Sequence, residues 1–267
     1  MSWVSIGPSS ARRGQASTFP AISGRVSGIA LPRRGQRIYI ATANGGVWRS
    51  DDGGVTWRPL MDRFDRDPRV TVNPTPINNP AAGVDTLACG AIGIHPDHQD
   101  TIFVGTGEAA AFEGAAPFYF GAGVAISIDA GLTWNIEEET TAQDGQPSTD
   151  MLGIGFYALV VDPTNKKIAV AATTRGVYVR QQVGGEYRWS QRQLRPDTSG
   201  RDGSDIDVTS VVVAEAGANP PVLYAATRGD VAVSGQVYRS VDHGATWTQL
   251  GILDRKSTRL NSSHVSQ

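Results

Sequence analysis

One eight-residue phrase occurs three times in this chain of 267 residues. The copies begin at Ser50, Ser127 and Ser240 and share the pattern S-x-D-x-G-x-T-W. Each copy follows a short apolar run and opens another, which predicts the turn of a β-hairpin. Repetition at long intervals predicts an array of similar sheets, because one such unit cannot bury its apolar face alone.

Every position of the phrase has a structural role in such a turn. We expect the aspartates to accept hydrogen bonds from backbone N–H groups and the glycines to supply a positive φ. We expect serine and threonine to hydrogen-bond across the hairpin mouth, and tryptophan to pack against a neighbouring sheet. The structural residues are Ser50, Asp52, Gly54, Thr56, Trp57, Ser127, Asp129, Gly131, Thr133, Trp134, Ser240, Asp242, Gly244, Thr246 and Trp247. Calcium needs more oxygen ligands than one carboxylate per turn, so no metal is predicted.

Composition excludes several partner classes. The formal net charge is −2, which favours neither nucleic acid nor an anionic membrane as partner. No apolar stretch approaches the roughly 20 residues of a membrane span, so membrane insertion is not predicted. Cys89 is the single cysteine, so the chain has no internal disulfide. Residues 1–6 read as a strand rather than a signal peptide.

Strand-like runs group into four units, at about 25–60, 87–138, 155–194 and 208–250. Each unit contains four runs separated by turn residues. The first run of each unit is apolar and small-sided, as in Val211-Val212-Val213, which suits a strand covered on both faces. The pattern predicts an all-β protein, a β-propeller of four-stranded antiparallel blades with about four blades present.

The chain ends lead to a further expectation about the ring. Residues 3–7 match residues 247–251 and read as the outer strand of a closing blade that has no inner strands. We therefore expect residues 1–254 to be a partial propeller, an incomplete fragment of a larger ring, with a true four-bladed ring as the alternative. Residues 255–267 are polar, follow no strand period and resemble a translated cloning linker, so we expect a disordered tail.

The repeated phrase resembles the Asp-box, or bacterial neuraminidase (BNR) repeat, of sialidases, sortilin-type propellers and xyloglucan-degrading glycoside hydrolases. A degenerate copy over 176–189 keeps the glycine and tryptophan. The chain is most similar to bacterial Asp-box propellers without an assigned activity, through its opening W-x-x-I-G-P and its T-A-N-G-G-V-W-R-S segment. The resemblance covers about residues 1–254 and implies an extracellular or periplasmic location.

Strand alternation sorts the connections onto two rims. The Asp-box turns join third and fourth strands and share the Asp-box rim with the first-to-second turns. The opposite rim, here called the loop rim, carries the second-to-third loops, the links between blades and every long insertion. Function usually resides in such loops on a rigid scaffold, so the sequence predicts the functional site on the loop rim.

Five residues of the loop rim are predicted ligand contacts. Arg25, Arg175 and Arg228 have the guanidinium forks that bind a carboxylate or sulfate bidentately. Asn44 adds a polar contact, and Tyr119 offers a stacking platform for a sugar. The alternatives are solvated surface and loop salt bridges for the arginines, and packing of the loop on its own blade for Tyr119.

A carboxylate pair for glycoside hydrolysis is the catalytic alternative. Glu108 with Asp150 or Asp207 has the required chemistry, although caps and turns are the competing interpretation. Sialidases carry a Phe/Tyr-Arg-Ile-Pro segment that this chain lacks. In the xyloglucan-degrading family an aspartate is catalytic where this chain has Ala43.

Two hypotheses follow. The first is a non-catalytic scaffold of Asp-box propeller type that recognises a glycan or protein through the loop rim, without a cofactor. The alternative is a glycoside hydrolase, exo-sialidase or xyloglucanase-like, whose site is only partly present. The oligomeric state stays open at this stage.

Overall fold

A computed structural model describes residues 24–61, 87–109, 121–137, 151, 153–192, 194, 206–215, 217–228 and 235–252. These residues form sixteen β-strands and no helix. No segment of the described residues is therefore a helix able to span a membrane.

The strands form four antiparallel sheets of four, each in sequence order. The first contains β1 (Val26–Ala30), β2 (Ile38–Thr42), β3 (Val47–Ser50) and β4 (Arg58–Pro59). The second contains β5 (Cys89–His95), β6 (His98–Thr106), β7 (Val124–Ser127) and β8 (Asn135–Glu137). The third contains β9 (Phe156–Val161), β10 (Ala169–Thr173), β11 (Gly176–Val183) and β12 (Glu186–Arg192). The fourth contains β13 (Val208–Glu215), β14 (Val222–Thr227), β15 (Gln236–Ser240) and β16 (Thr248–Ile252).

Adjacent sheets pack through their first strands. β1 contacts β5, β5 contacts β9, and β9 contacts β13. Each junction encloses one apolar cluster, so three clusters form the core. Small residues permit the close approach: a Cβ added at Gly90 of β5 would lie 2.2 Å from the Phe156 carbonyl oxygen of the next sheet. Alanine and valine are frequent in the first strands because their small side chains also permit this close approach.

The predicted fold class is confirmed: the protein is all-β, with four-stranded antiparallel blades of the propeller type. The predicted strand 3–7 and the tail 255–267 lie outside the described residues, and the larger ring stays a prediction. In the three sheets with an Asp-box, the sequence predicts that the fourth strand begins at the threonine of the turn, and it begins two residues later. Pairing starts at Arg58 rather than Thr56, because the Thr56 N–H donates to Asp52 inside the turn.

Candidate functional site

The first Asp-box turn is closed by its own side chains. The Ser50 hydroxyl donates to Asp52 Oδ1 at 2.7 Å and accepts from the Gly54 N–H at 2.8 Å. The Thr56 N–H donates to Asp52 Oδ1 at 2.9 Å, and the Thr56 hydroxyl donates to Oδ2 at 2.6 Å. One carboxylate therefore holds both ends of the turn, which corrects the expectation that serine and threonine bond to each other.

The same bonds occur in the other two turns. Ser127 and Ser240 donate to Asp129 and Asp242, at 2.8 and 2.7 Å. The glycine N–H donates to the serine hydroxyl, at 2.8 Å in the second turn and 3.0 Å in the third. The glycines adopt the predicted positive φ, with Gly54 at +94°. The three copies are therefore one structural device repeated on three blades.

Hydrogen bonding lowers the pKa of these aspartates. The Thr56 hydroxyl, the Thr56 N–H and the Ser50 hydroxyl together lower the pKa of Asp52 to about 2. Burial opposes the effect at Asp129 and Asp242, but bonds from threonine and serine still lower the pKa of both. Because each carboxylate is ionised and committed to its turn, we assign it no acid–base chemistry at neutral pH.

The three tryptophans differ in burial. Trp134 is 4% exposed, and its indole N–H donates across the sheet junction to the Leu60 carbonyl at 3.3 Å. Trp247 packs on the cluster between the third and fourth sheets. Trp57 is 37% exposed, contrary to the expectation that every tryptophan packs on a neighbour. Trp134 and Trp247 pack toward the preceding sheet, and among the described residues no sheet precedes the first.

Turns of adjacent blades are tied together on the Asp-box rim. Arg37 donates to Asp51 at 2.8 Å and to Asp100 of the second sheet at 2.7 Å. His243 Nδ1 lies 2.6 Å from the Asp162 carboxylate, which joins the fourth blade to the third. A polar hollow of about 490 Å³ also lies on this rim, lined partly by Arg37 and Asp100. Because these contacts link the turns of neighbouring blades, we assign the Asp-box rim a structural role.

The two histidines of the first turn of the second sheet are structural as well. His95 Nδ1 accepts from the Asp97 N–H at 3.1 Å, and Nε2 lies 3.1 Å from the Pro163 carbonyl oxygen. The His95 and His98 rings lie 4.7 Å apart. Burial and the neighbouring His98 lower the pKa of His95. Within the described ranges, no group of three or more His, Cys, Asp or Glu is arranged to hold a metal ion.

The loop rim carries the predicted site residues that the structure describes. They stand where first strands begin, where second strands end or where second-to-third loops turn. They are Arg25, Asn44, Glu108, Arg175, Asp207 and Arg228. Tyr119 and Asp150 lie outside the described residues.

Arg25 and Glu108 meet at the junction of the first and second sheets. The Arg25 guanidinium donates to the Glu108 carboxylate from just before β1. Glu108 follows β6, is 2% exposed and forms a β-bridge with Phe156 of the third sheet. Half of the Arg25 side chain remains exposed. The carboxylate is thus held inside the junction, while part of the guanidinium faces solvent.

Asp207 and Arg228 form a second polar group, on the fourth blade. The Tyr157 hydroxyl of the third blade donates to Asp207 Oδ2 at 3.0 Å. The Arg228 N–H donates to the Asp207 carbonyl at 2.8 Å, and the Arg228 guanidinium lies 3.9 Å from the Asp207 carboxylate. Burial, followed by the Asp207 carboxylate, raises the pKa of Tyr157. This group also lies at a blade junction, but its ion pair is within the fourth blade and only the Tyr157 hydroxyl crosses from the third.

The remaining predicted residues, Asn44 and Arg175, lie on the first and third blades. Asn44 lies in the β2–β3 loop and Arg175 in the β10–β11 turn, and both are exposed. Ala43, at the position of the family's catalytic aspartate, is buried, and its N–H donates to the Arg25 carbonyl at 3.0 Å. Arg25, Arg175 and Arg228 therefore belong to three different blades of the same rim.

Tyr157 is a member of this rim that sequence reasoning missed. It is the second residue of β9, close to where Arg25 stands relative to β1. Comparing the starts of the four first strands would have found it. Its hydroxyl bond and the Arg25–Glu108 pair show that neighbouring blades make polar contacts near the beginnings of β1, β9 and β13 on this rim.

Comparisons with known proteins agree with the repeat. The family model described as BNR/Asp-box repeat matches residues 48–59. No curated protein matches the sequence. A GH74 enzyme of Niastella koreensis is 20% identical, with a TM-score of 0.47, over 84% of this chain and 30% of that one.

Two further solved structures are similar to the chain. The GH74 xyloglucanase from Xanthomonas campestris is 15% identical, with a TM-score of 0.31, over 85% of this chain and 45% of that one. The β-propeller domain of Cps50 (Swd1) from Myceliophteria thermophila is 12% identical, with a TM-score of 0.47, over 81% and 52%. The chain thus spans about a third of the length of the first GH74 structures that it matches.

The matched segment contains the first Asp-box turn, and two further turns reproduce its hydrogen bonds. These three turns lie on the first, second and fourth of the four antiparallel sheets. The chain is thus an all-β protein of the propeller type that carries the BNR/Asp-box repeat at residues 48–59.

Proposed function

We propose that this chain is a binding scaffold whose loop rim recognises an acidic glycan, one that carries carboxylate or sulfate groups. The observation that carries the proposal is the unequal exposure of charge on that rim. Glu108 is buried, whereas Arg175 is exposed and the Arg25 and Arg228 side chains are about half exposed. The described part of the rim therefore offers solvent more cationic than anionic surface.

Guanidinium groups suit this ligand class for a geometric reason. Their planar forks donate two parallel hydrogen bonds to a carboxylate or sulfate, and they are weakly hydrated. The three arginines stand on the first, third and fourth blades. An extended polyanion contacts groups that are spread along a rim more readily than a small ion does.

Glycoside hydrolysis is the competing function. It needs one carboxylic acid and one carboxylate that face the scissile bond. Glu108 is ion-paired inside a sheet junction, and Asp207 accepts from Tyr157. The two carboxylates belong to the second and fourth blades, with the third blade between them. These contacts favour structural roles for both groups and therefore favour the scaffold.

Binding to matched oligosaccharides tests the proposal. Calorimetric titration with a heparin-derived hexasaccharide and an oligogalacturonate should give affinities that fall with added salt. A neutral xyloglucan oligosaccharide should not bind. Equal binding of the neutral sugar, or binding of acidic peptides but not acidic glycans, would contradict the proposed ligand class.

Arginine variants locate the site. Arg175→Gln and Arg228→Gln should each weaken binding roughly tenfold, because each removes a charge-assisted hydrogen bond. Arg25→Lys is the suitable change at the third position, because it keeps a cation beside the buried Glu108. Arg33→Gln is the matched control, since Arg33 lies on the Asp-box rim in an exposed pair with Asp97.

A turnover assay separates the two functions. The scaffold should release no product from xyloglucan or from fluorogenic sialosides. Turnover that is lost in both Glu108→Gln and Asp207→Asn, with folding preserved, would favour the hydrolase instead.

A further inference from the structure

The sheets carry equivalent cross-strand rows on the face that meets the preceding sheet. Each row has one residue from the first, second and third strands, directly opposite one another. The rows are Ile92, Val104 and Ala125 in the second sheet, Leu159, Ala171 and Tyr178 in the third, and Val211, Ala225 and Tyr238 in the fourth. All nine residues are buried in sheet junctions.

The first sheet has the same row, but it is uncovered. Ile29, Ile40 and Trp48 lie opposite one another on β1, β2 and β3. Ile29 is 63% exposed, and Ile40 and Trp48 are only half-buried. Trp57, the exposed Asp-box tryptophan, directly precedes β4 of the same sheet. The preceding face of the first sheet therefore has the composition of a sheet junction and the exposure of a surface.

The face of each sheet that meets the following sheet shows the reverse order of exposure: it is buried at the first sheet and exposed at the fourth. In the first sheet the row Ala30, Tyr39 and Arg49 faces the second sheet and is buried. The third sheet buries the corresponding row Val160, Val170 and Val179 in its junction with the fourth.

In the fourth sheet the corresponding row is Val212, Tyr224 and Arg239. Val212 is 49% exposed, Tyr224 is half-buried and Arg239 is exposed. The following face of the fourth sheet is therefore also uncovered.

Arg239 adds a specific polar contact to this argument. Both Arg49 and Arg239 directly precede the serine of an Asp-box. Arg49 Nη1 donates to the Ala130 carbonyl in the Asp-box turn of the following sheet, at 2.8 Å. The residue that corresponds to Ala130 in the first turn is Gly53, which is exposed. The exposed Arg239 guanidinium and the matching Gly53 carbonyl thus lie on the fourth and the first of the described sheets.

We propose that a second copy of this chain docks the preceding face of its first sheet on the following face of the fourth sheet. Each copy carries one face of each kind, and the chain already makes this junction three times. Burial of the apolar rows drives the contact, and Arg239 donates to the Gly53 carbonyl of the second copy. The contact is head-to-tail, so two copies form a closed ring if the rotation permits, and longer arrays otherwise.

The mass in solution is the first test. The chain has a mass of 28.3 kDa, so light scattering after gel filtration should give at least twice that value, increasing with concentration. A single 28.3 kDa species at every concentration up to the solubility limit would overturn the proposal.

Two blocking variants test the geometry. Ile29→Glu places a charge on the first-sheet face, and Val212→Glu places one on the fourth-sheet face. Each variant alone should be monomeric, because it lacks one of the two faces. An equimolar mixture should form a heterodimer, because the Ile29→Glu chain keeps its fourth-sheet face and the Val212→Glu chain keeps its first-sheet face.

The control is Leu132→Glu, at an exposed apolar residue of the second Asp-box turn. It should associate as the wild type does. Circular dichroism and thermal unfolding check that all three variants fold. A dimer that persists in either blocking variant indicates a like-on-like contact and overturns the head-to-tail arrangement, and so does a mixture that stays monomeric.

Discussion

The two rims of the sheets use similar polar residues over different ranges of sequence. On the Asp-box rim, Ser50, Asp52 and Thr56 satisfy one another within a single turn. On the loop rim, Arg25 reaches Glu108 across 83 residues, and Tyr157 reaches Asp207 across 50. Local bonds close each Asp-box turn before Arg37 and His243 link it to an adjacent blade, whereas the loop-rim pairs form only when adjacent blades dock. Substitutions should therefore damage the two rims in different ways.

The largest effect is expected where two blades touch on the loop side. Gly90→Ala should lower the free energy of unfolding by about 3 kcal/mol, because the new Cβ collides with the carbonyl oxygens of Phe156 and Gly107. Gly53→Ala is the control on the Asp-box rim. It meets open space at a φ of +72° and should cost only about 1 kcal/mol. Urea unfolding measures the free energy of unfolding of both variants. Equal losses would contradict the proposed difference between the two rims.

The next effect concerns a single Asp-box turn. Asp129→Ala should cost about 2 kcal/mol, since it removes the acceptor for the Leu132 and Thr133 N–H groups and the Thr133 hydroxyl. Asp97→Ala, an exposed acid on the same rim, should change the unfolding free energy by less than about 0.5 kcal/mol. Thermal unfolding of both variants is the measurement. An Asp129→Ala variant as stable as the wild type would contradict the role of this carboxylate in stabilising its turn.

A smaller effect is expected from one bond on the loop rim. Tyr157→Phe should lower the unfolding free energy by about 1 kcal/mol, because Asp207 loses the donor that reaches it from the neighbouring blade. Tyr224→Phe, on the uncovered face of the fourth sheet, serves as the control and should be nearly neutral. Chemical unfolding of the two variants distinguishes a real bond between blades from an incidental contact.

The smallest effect is a shift with pH. The pKa of Asp52 is lowered from 3.8 to about 2 in the folded protein, so its carboxylate adds stability above pH 3.8. That contribution is lost as the pH falls toward 2. A carbon-13 titration of the side-chain carboxyl should show a midpoint near 2. Thr56→Val should raise the midpoint, and a wild-type midpoint near 3.8 would exclude the hydrogen-bonded turn.

Sequence patterns predicted the fold well because they report local requirements. The spacing from Ser50 to Trp57 specifies a turn, and alternating runs around it specify strands, so four blades were readable without coordinates. Strand starts were less accurate. The Thr56 N–H donates to Asp52 within the turn instead of to the neighbouring strand. The spacing of apolar residues carries no information about which of these two hydrogen bonds forms.

The site was only partly predictable. Strand alternation placed Arg25, Arg175 and Arg228 on one rim, but it did not distinguish a buried, paired Glu108 from an exposed one. Tyr157 escaped notice because its partner, Asp207, is brought near only by packing of the third blade on the fourth. Pairing between residues far apart in sequence leaves no local pattern to detect.

By itself the sequence determined the four-stranded unit, the bracing of its outer hairpins and the class of the fold, since each depends on residues within a few positions of one another. Only the tertiary structure decided which equivalent rows are covered. Tyr238 is buried and Trp48 is half-buried at the same repeat position, because a preceding sheet covers the fourth blade and none of the described sheets covers the first. Burial is a property of neighbours in space, and identical repeats acquire different roles from their places in the row of sheets.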